Sequence, residues 1–160
     1  MNHIPHFHTG LIIGRFQPFH LGHLYLFREA LKQVDQVIVG IGSVNVHDAD
    51  NPFSQKEIET TINNVIHSEK WDARVIQMFG IPDIHNDEKW RNFIEKYSTP
   101  FDVVVSHNDW VTRIFKKVGI PVIEIPFFKR DIYEGAKIRE LMRSLMRSGG
   151  EWKNRVPQIV

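Results

Sequence analysis

Short apolar, β-branched runs alternate along this chain with longer stretches in which apolar residues recur every three or four positions. The runs are Leu11-Ile12-Ile13, Val37-Ile38-Val39-Gly40-Ile41-Gly42, Arg74-Val75-Ile76-Gln77-Met78, Phe101-Asp102-Val103-Val104-Val105 and Pro121-Val122-Ile123-Glu124-Ile125. Each has the length and composition of a strand, and the near-continuous apolar character of one covered on both faces. The intervening stretches keep helical spacing. Leu24, Phe27, Ala30 and Leu31 mark the first. After Pro52, Ser54 stands as an N-cap with Glu57 three residues on, a capping box that opens a helix through Ile58, Ile62, Val65 and Ile66. Asp87 to Tyr97 carries Trp90, Phe93, Ile94 and Tyr97 on one side, and Asp109 to Val118 is closed by Gly119. A final helix is predicted from Gly135 to Arg147, ended by Gly149-Gly150.

Strand and helix thus alternate along the whole length, which predicts an α/β fold: a five-stranded parallel sheet, doubly wound and Rossmann-like, with right-handed crossovers. In such sheets ligands bind beyond the carboxyl ends of the strands, where the strand order reverses. At 160 residues the expectation is a single domain, 1–160, with residues 1–9 as a mobile N-terminal extension.

Composition narrows the chemistry. Hydrophobic residues make up 42% and charged residues 24%, ordinary for a folded domain. Twenty Lys and Arg against 19 Asp and Glu leave a net charge of +1, so no global field attracts nucleic acid or a membrane. There is no cysteine, which excludes disulfides, thiolate catalysis and Cys-ligated metals. No apolar run approaches the roughly 20 residues of a membrane span, and the first residues lack a secretory pattern, so a cytoplasmic location is expected.

The segment after the first strand, Leu11 to His23, reads LIIGRFQPFHLGH. A strand runs into Gly14 and Arg15, then a loop with Pro18, then His20-Leu21-Gly22-His23 as a helix opens. Gly14 and Gly22 admit a ligand close to the backbone. The helix N-terminus offers unpaired N–H groups suited to phosphate. His20 and His23 share one side of the first turn, and Arg15 adds a forked positive charge. The alternatives are that His20 caps the helix and His23 faces solvent, or that the two histidines ligate zinc; the absence of a nearby carboxylate counts against zinc.

The string His20-Leu21-Gly22-His23 resembles the His-x-Gly-His signature of the nucleotidyltransferase superfamily. The wider string Gly14 to His23 resembles the opening of the archaeal-type nicotinamide mononucleotide (NMN) adenylyltransferase family, and the likeness runs from about residue 10 to 157. It implies transfer of AMP from ATP to NMN, giving NAD and pyrophosphate, with ATP as co-substrate, Mg²⁺ held mainly by the ATP phosphates, no nucleic-acid or membrane partner, and a homo-oligomer. It implies catalytic roles for Arg15, His20, His23 and Arg139. For ATP it implies Gly14, Arg15, Phe16, His20, Gly22 and His23, with Phe128, Gly135, Ile138 and Arg139 from a second signature spanning Phe127 to Arg139. For the mononucleotide it implies Gly42, Ser43, Ile84, Asp87 and Trp90, the tryptophan stacking on the nicotinamide ring; by helical pattern alone Trp90 is a core aromatic.

Two departures from the family stand out. The second signature has Glu134 and Ala136 where the family has Ser and Thr, so a phosphate hydroxyl contact is lost, and Glu134 either points outward or helps hold Mg²⁺. Glu57-Ile58 stands where the family has Glu-Arg, leaving Lys56 or another cation to substitute. Transfer to another phosphorylated acceptor, such as nicotinic acid mononucleotide or phosphopantetheine, and a non-catalytic nucleotide-binding or sensor module are the alternatives. Elsewhere, His107-Asn108 either line the adenine pocket or cap the next helix. Trp110, Phe115 and Phe93 read as core or interface. Lys116, Lys117, Arg143, Arg147, Lys153 and Arg155 read as solvated, and His3, His6 and His8 as a mobile start or a metal-binding run.

Overall fold

A computed structural model describes residues 5–144 and 150–160. Five parallel strands, β1 (Phe7–Gly14), β2 (Val34–Gly42), β3 (Val75–Ile81), β4 (Val103–Ser106) and β5 (Val122–Glu124), form one sheet in the order β3-β2-β1-β4-β5. The chain builds outward from β1 to β3, then returns to lay β4 against the other side of β1. The reversal of strand order therefore falls between β1 and β4, and the first predicted loop sits at that point.

Among the described residues five α-helices connect and follow the strands: α1 (Leu21–Ala30), α2 (Gln55–Ser68), α3 (Asp87–Tyr97), α4 (Asp109–Lys116) and α5 (Gly135–Arg143). The two-residue period of the strands divides the core. Ile12, Val37 and Val39 face α1 and α2, where Leu26, Phe27, Ile58 and Ile62 bury. Leu11, Ile38 and Val104 face the other way, against Trp90 and Ile94 of α3 and Val111, Ile114 and Phe115 of α4. Both faces are thus covered, as the near-continuous apolar strands require. The Ser54–Glu57 capping box forms as expected: Ser54 Oγ accepts from the Glu57 N–H, and Glu57 Oε2 accepts from the Ser54 N–H.

The differences from expectation lie at the edges. β1 begins at Phe7, so residues 7–9 of the expected extension belong to the sheet. Polar His8 and Thr9 hide this in the sequence, but Thr9 N–H donates to Asp102 Oδ2 at 2.8 Å and its hydroxyl accepts from Gln36 at 2.9 Å. His6 and His8 both reach the Asp35 carboxylate, at 2.7 and 2.9 Å, rather than trailing free. His3 lies outside the described residues. β2 and β3 are longer than their apolar runs suggest. Within the described residues α5 ends at Arg143; the expected continuation to Arg147 and Gly149 falls outside them. Arg143 donates to the Ala49 carbonyl and Arg155, in a short 3₁₀ helix (Glu151–Arg155), donates to the Ile132 carbonyl, so neither is merely solvated. Lys116 pairs with Glu124.

Candidate active site

A cavity of about 700 Å³ opens across the carboxyl ends of the strands at the reversal point. Its centre is the first turn of α1. His20 is the N-cap, and its Nδ1 accepts the N–H groups of Gly22 and His23 at 3.1 and 3.3 Å. His23 returns the contact: its Nδ1 accepts the His20 N–H at 3.2 Å. The two side chains thus make a capping box out of imidazoles, and the expectation that His20 caps the helix is met together with its place in the cavity. The rings stack with centroids 3.7 Å apart.

This geometry decides the tautomers. Each Nδ1 is occupied as an acceptor, so in the neutral form each proton resides on Nε2. Burial, followed by the influence of His107, pushes His20 down to about 3. Burial first, then His20 and His107, lower His23 well below the ordinary histidine value. At neutral pH the pair therefore offers two N–H donors and no resident charge. His107, at the end of β4, is a third imidazole in the cavity, 6.4 Å from the His23 ring and lowered to about 4 by burial and by Arg130. The neighbouring Asn108 side chain caps α4 by accepting from the Trp110 and Val111 N–H groups, so the capping alternative is realised, and both His107 and Asn108 border the cavity.

The ring of Phe16 supports the pair from below. Its backbone is left-handed at φ 53°, and the ring packs against His23 at 4.8 Å and Phe27 at 6.1 Å. A Cβ on Gly14 would meet that ring at 2.8 Å, which is why glycine precedes it. Phe16 is only 2% exposed, so it borders the cavity chiefly as a support.

Arg139, on the first turns of α5, closes the site from 122 residues away: its Nη1 donates to the Gln17 carbonyl at 2.8 Å. Its Nη2 donates to Asp50 Oδ1 at 3.2 Å. Arg139 is 5% exposed, and its Nε is a buried donor with no partner among the described residues. An orphaned donor of this kind carries an unmet cost that an incoming acceptor relieves. Gln17 ties the loops together, its side-chain amide exchanging two hydrogen bonds of 2.9 Å with the Phe53 backbone.

The expected residues mostly converge. Gly14, Arg15, His20, Gly22, His23 and Arg139 border one cavity, joined by Phe16, Phe128 and Gly135. Gly42, Ser43, Ile84, Asp87 and Trp90 border it too. Ile138 does not: it is fully buried and turned away, because Arg139 next to it takes the cavity-facing position on α5. Trp90 is 4% exposed and packs against Phe115 and Trp110, so most of its surface belongs to the core. Trp110, expected in the core or an interface, instead stands on the cavity wall with 37% exposure. Ile58 is buried among the α2 core residues, and Lys56 is exposed and does not border the cavity. The further cation there is Arg130, whose guanidinium lies 3.9 Å over the Phe127 ring. Arg130 and Gln17 were not singled out by sequence reasoning, although both adjoin residues that were. Glu134 borders the cavity and lies 3.5 Å from the Lys137 ammonium. Among the described residues no three His, Asp or Glu side chains form a metal-holding group, and no helix is long and apolar enough to cross a membrane.

Residues 11–144 match the cytidylyltransferase-like family. The nicotinamide-nucleotide adenylyltransferase of Methanolobus tindarius is 38% identical over 151 residues, covering 92% of this chain and 82% of that protein. Its counterpart from Methanothrix thermoacetophila is 34% identical over 152 residues, covering 94% and 85%. Among solved structures, a bifunctional NMN adenylyltransferase/ADP ribose pyrophosphatase from Francisella tularensis, complexed with AMP and a manganese ion, superposes with a TM-score of 0.69 at 25% identity. That match covers 84% of this chain and 41% of the other, so the chain spans about two-fifths of the bifunctional protein. A second structure of that protein gives a TM-score of 0.74 at 23% identity, a likeness of fold. The chain is a cytidylyltransferase-like nucleotidyltransferase and, within that class, belongs to the nicotinamide-nucleotide adenylyltransferase family.

Proposed function

We propose that this chain transfers AMP from ATP to NMN, releasing pyrophosphate and forming NAD, as a step of NAD biosynthesis. The observation that carries the reading is that two Nε2-protonated imidazoles and Arg139, whose buried Nε has no partner among the described residues, border one cavity at the reversal of strand order.

In this reading an oxygen of the NMN 5′-phosphate attacks the α-phosphorus of ATP. The bond from that phosphorus to the β-bridging oxygen breaks, and pyrophosphate leaves with the electron pair. The phosphate nucleophile is already ionised at pH 7, so no strong general base is required. The chain supplies position and charge stabilisation. His20 and His23 donate to the ATP phosphates, and Arg15 and Arg139 clamp them from two loops. Gly14, Phe16 and Gly22 shape the floor, and Phe128 and Gly135 the opposite wall. Arg130 takes the part of the cation absent at Ile58. Gly42, Ser43, Ile84, Asp87 and Trp90 form the mononucleotide end.

Glu134, the carboxylate within the second signature that borders the cavity, would be the residue to hold Mg²⁺, which when bound would neutralise charge on the phosphate oxygens. The same reading has the chain acting in the cytoplasm as a homo-oligomer, which light scattering tests.

The deciding experiment follows pyrophosphate release with ATP and Mg²⁺ against NMN, nicotinic acid mononucleotide and phosphopantetheine. Turnover with a pyridine mononucleotide is expected. Saturable ATP binding without turnover of any acceptor refutes the transferase reading in favour of a sensor module.

A further inference from the structure

Two of the arginines that border the cavity are held in different ways. Arg139 is fixed by hydrogen bonds to the Gln17 carbonyl and to Asp50. The Arg130 guanidinium makes no hydrogen bond or ion pair among the described residues; it lies 3.9 Å over the Phe127 ring. The same ring stacks on His107, centroids 4.5 Å apart and planes 25° from parallel. Burial first, and Arg130 second, keep His107 uncharged at neutral pH, so it does not repel the guanidinium with which it shares the ring. His107 in turn lies 6.4 Å from the His23 ring, so Phe127 links the segment after β5 to the histidine turn of α1.

The backbone brings residues 127 and 130 together outside any helix. Lys129 adopts a left-handed φ of 46°, and its carbonyl accepts the N–H groups of Ile132 and Tyr133 at 2.9 and 2.8 Å. The intervening Phe128 ring anchors this turn, stacking on Tyr25 of α1 at 4.7 Å and on Tyr133 at 5.8 Å. Phe127 itself is 43% exposed, more than a ring kept for core packing requires.

We propose that Phe127 is a positioning residue for ATP: its ring holds the otherwise unpartnered Arg130 guanidinium at the cavity, ready to grip the triphosphate. This rests on the ATP part of the reading above and deepens it. A free arginine gives up rotamer freedom when it grips a ligand, whereas one already resting on a ring has given it up beforehand. The ring takes the flat face of the guanidinium and leaves the N–H edge open to phosphate oxygens. A carboxylate partner would instead occupy those donors and offset their charge.

The test is a double-mutant cycle read by isothermal titration with ATP alone, with KM for NMN from pyrophosphate release and thermal unfolding alongside. Phe127→Leu keeps apolar bulk and removes the aromatic face; the ATP Kd should rise about three- to tenfold. The KM for NMN should stay within twofold of wild type. Phe127→Tyr keeps the face and should bind ATP within twofold of wild type. Arg130→Met removes the guanidinium, and adding Phe127→Leu to it should change the Kd by less than twofold. A Phe127→Leu Kd within twofold of wild type overturns the proposal. So does equal weakening by Phe127→Leu with and without Arg130, which means the ring touches the nucleotide itself, or a Phe127→Tyr protein as weak as Phe127→Leu. A Phe127→Leu protein that no longer folds assigns the ring to packing and overturns it too. Coupling that fails while wild type turns over NMN leaves the transferase reading intact. Coupling that appears without turnover of any acceptor upholds the role of Phe127 and refutes that reading.

Discussion

Replacing Gly22 with alanine tests whether the histidine pair works by position. A Cβ at Gly22 would stand 2.9 Å from both Cε1 and Nδ1 of His20 and 3.4 Å from the Tyr133 carbonyl oxygen. The carbonyl is tolerable; the ring is not. To regain ordinary van der Waals separation the His20 ring must withdraw by roughly half an ångström or more. It then loses part of the cap it makes to the Gly22 and His23 N–H groups, worth about 1 kcal/mol. Alanine inside a helix offsets this, since it is favoured over glycine by about 1 kcal/mol. Net stability should therefore barely move, with the melting temperature staying within about 4 °C for a domain of this size. The chemistry should suffer more. Displacing a catalytic group by 1 Å can cost about 100-fold, so kcat is expected to fall by roughly 10- to 100-fold with ATP and NMN. Pyrophosphate release gives kcat, and thermal unfolding followed by circular dichroism gives the stability. A Gly22→Ala enzyme with kcat within twofold of wild type and unchanged melting refutes the claim that the position of His20 matters.

Other outcomes follow from the same geometry. Arg139→Lys removes the fork that spans the Gln17 carbonyl and Asp50; ATP KM should rise at least tenfold, and unfolding should become easier by about 1–3 kcal/mol from the buried acceptor left unpaired. Ser54→Ala, which does not border the cavity, should lower stability by about 1 kcal/mol through loss of the α2 cap and leave both KM values alone; urea unfolding and steady-state kinetics check the two halves. Burial holds His20 at about 3 and His107 at about 4, below the ordinary 6.5, so the unfolded chain takes up these protons first. Their contribution is complete above pH 6.5 and is lost as pH falls toward 4 and then 3, and a urea midpoint that stays level between pH 7 and 4 contradicts it.

Much of this was legible beforehand because local chemistry and tertiary structure agree. α3 occupies Asp87–Tyr97, the stretch its apolar spacing predicts, and the Ser54–Glu57 box opens α2 where its residues say it should. The signature from Gly14 to His23 is likewise local: strand end, turn and helix start are contiguous, so order along the chain is order in space. What stayed hidden depends on distant partners. Thr9 and His8 look like loop residues until Asp102, Gln36 and Asp35 supply their hydrogen bonds. Trp110 fits a core pattern because periodicity assigns a helix face but not which residue at a helix end looks into a cleft. Ile138 was carried along with Arg139, although neighbours on a helix point about 100° apart. The unpartnered Nε of Arg139 could not be foreseen, since it arises only where α5, Gln17 and Asp50 meet.

That meeting has a bearing on the order in which the molecule becomes competent. The histidine turn is made from the first quarter of the polypeptide, yet its guanidinium partner arrives on α5, after every strand of the sheet. On the proposed reading, a growing chain shapes its α1 turn early and still lacks a complete grip on triphosphate until α5 docks. Nucleotide affinity would then be a readout of finished tertiary structure, and a bound nucleotide would fasten α1 to α5.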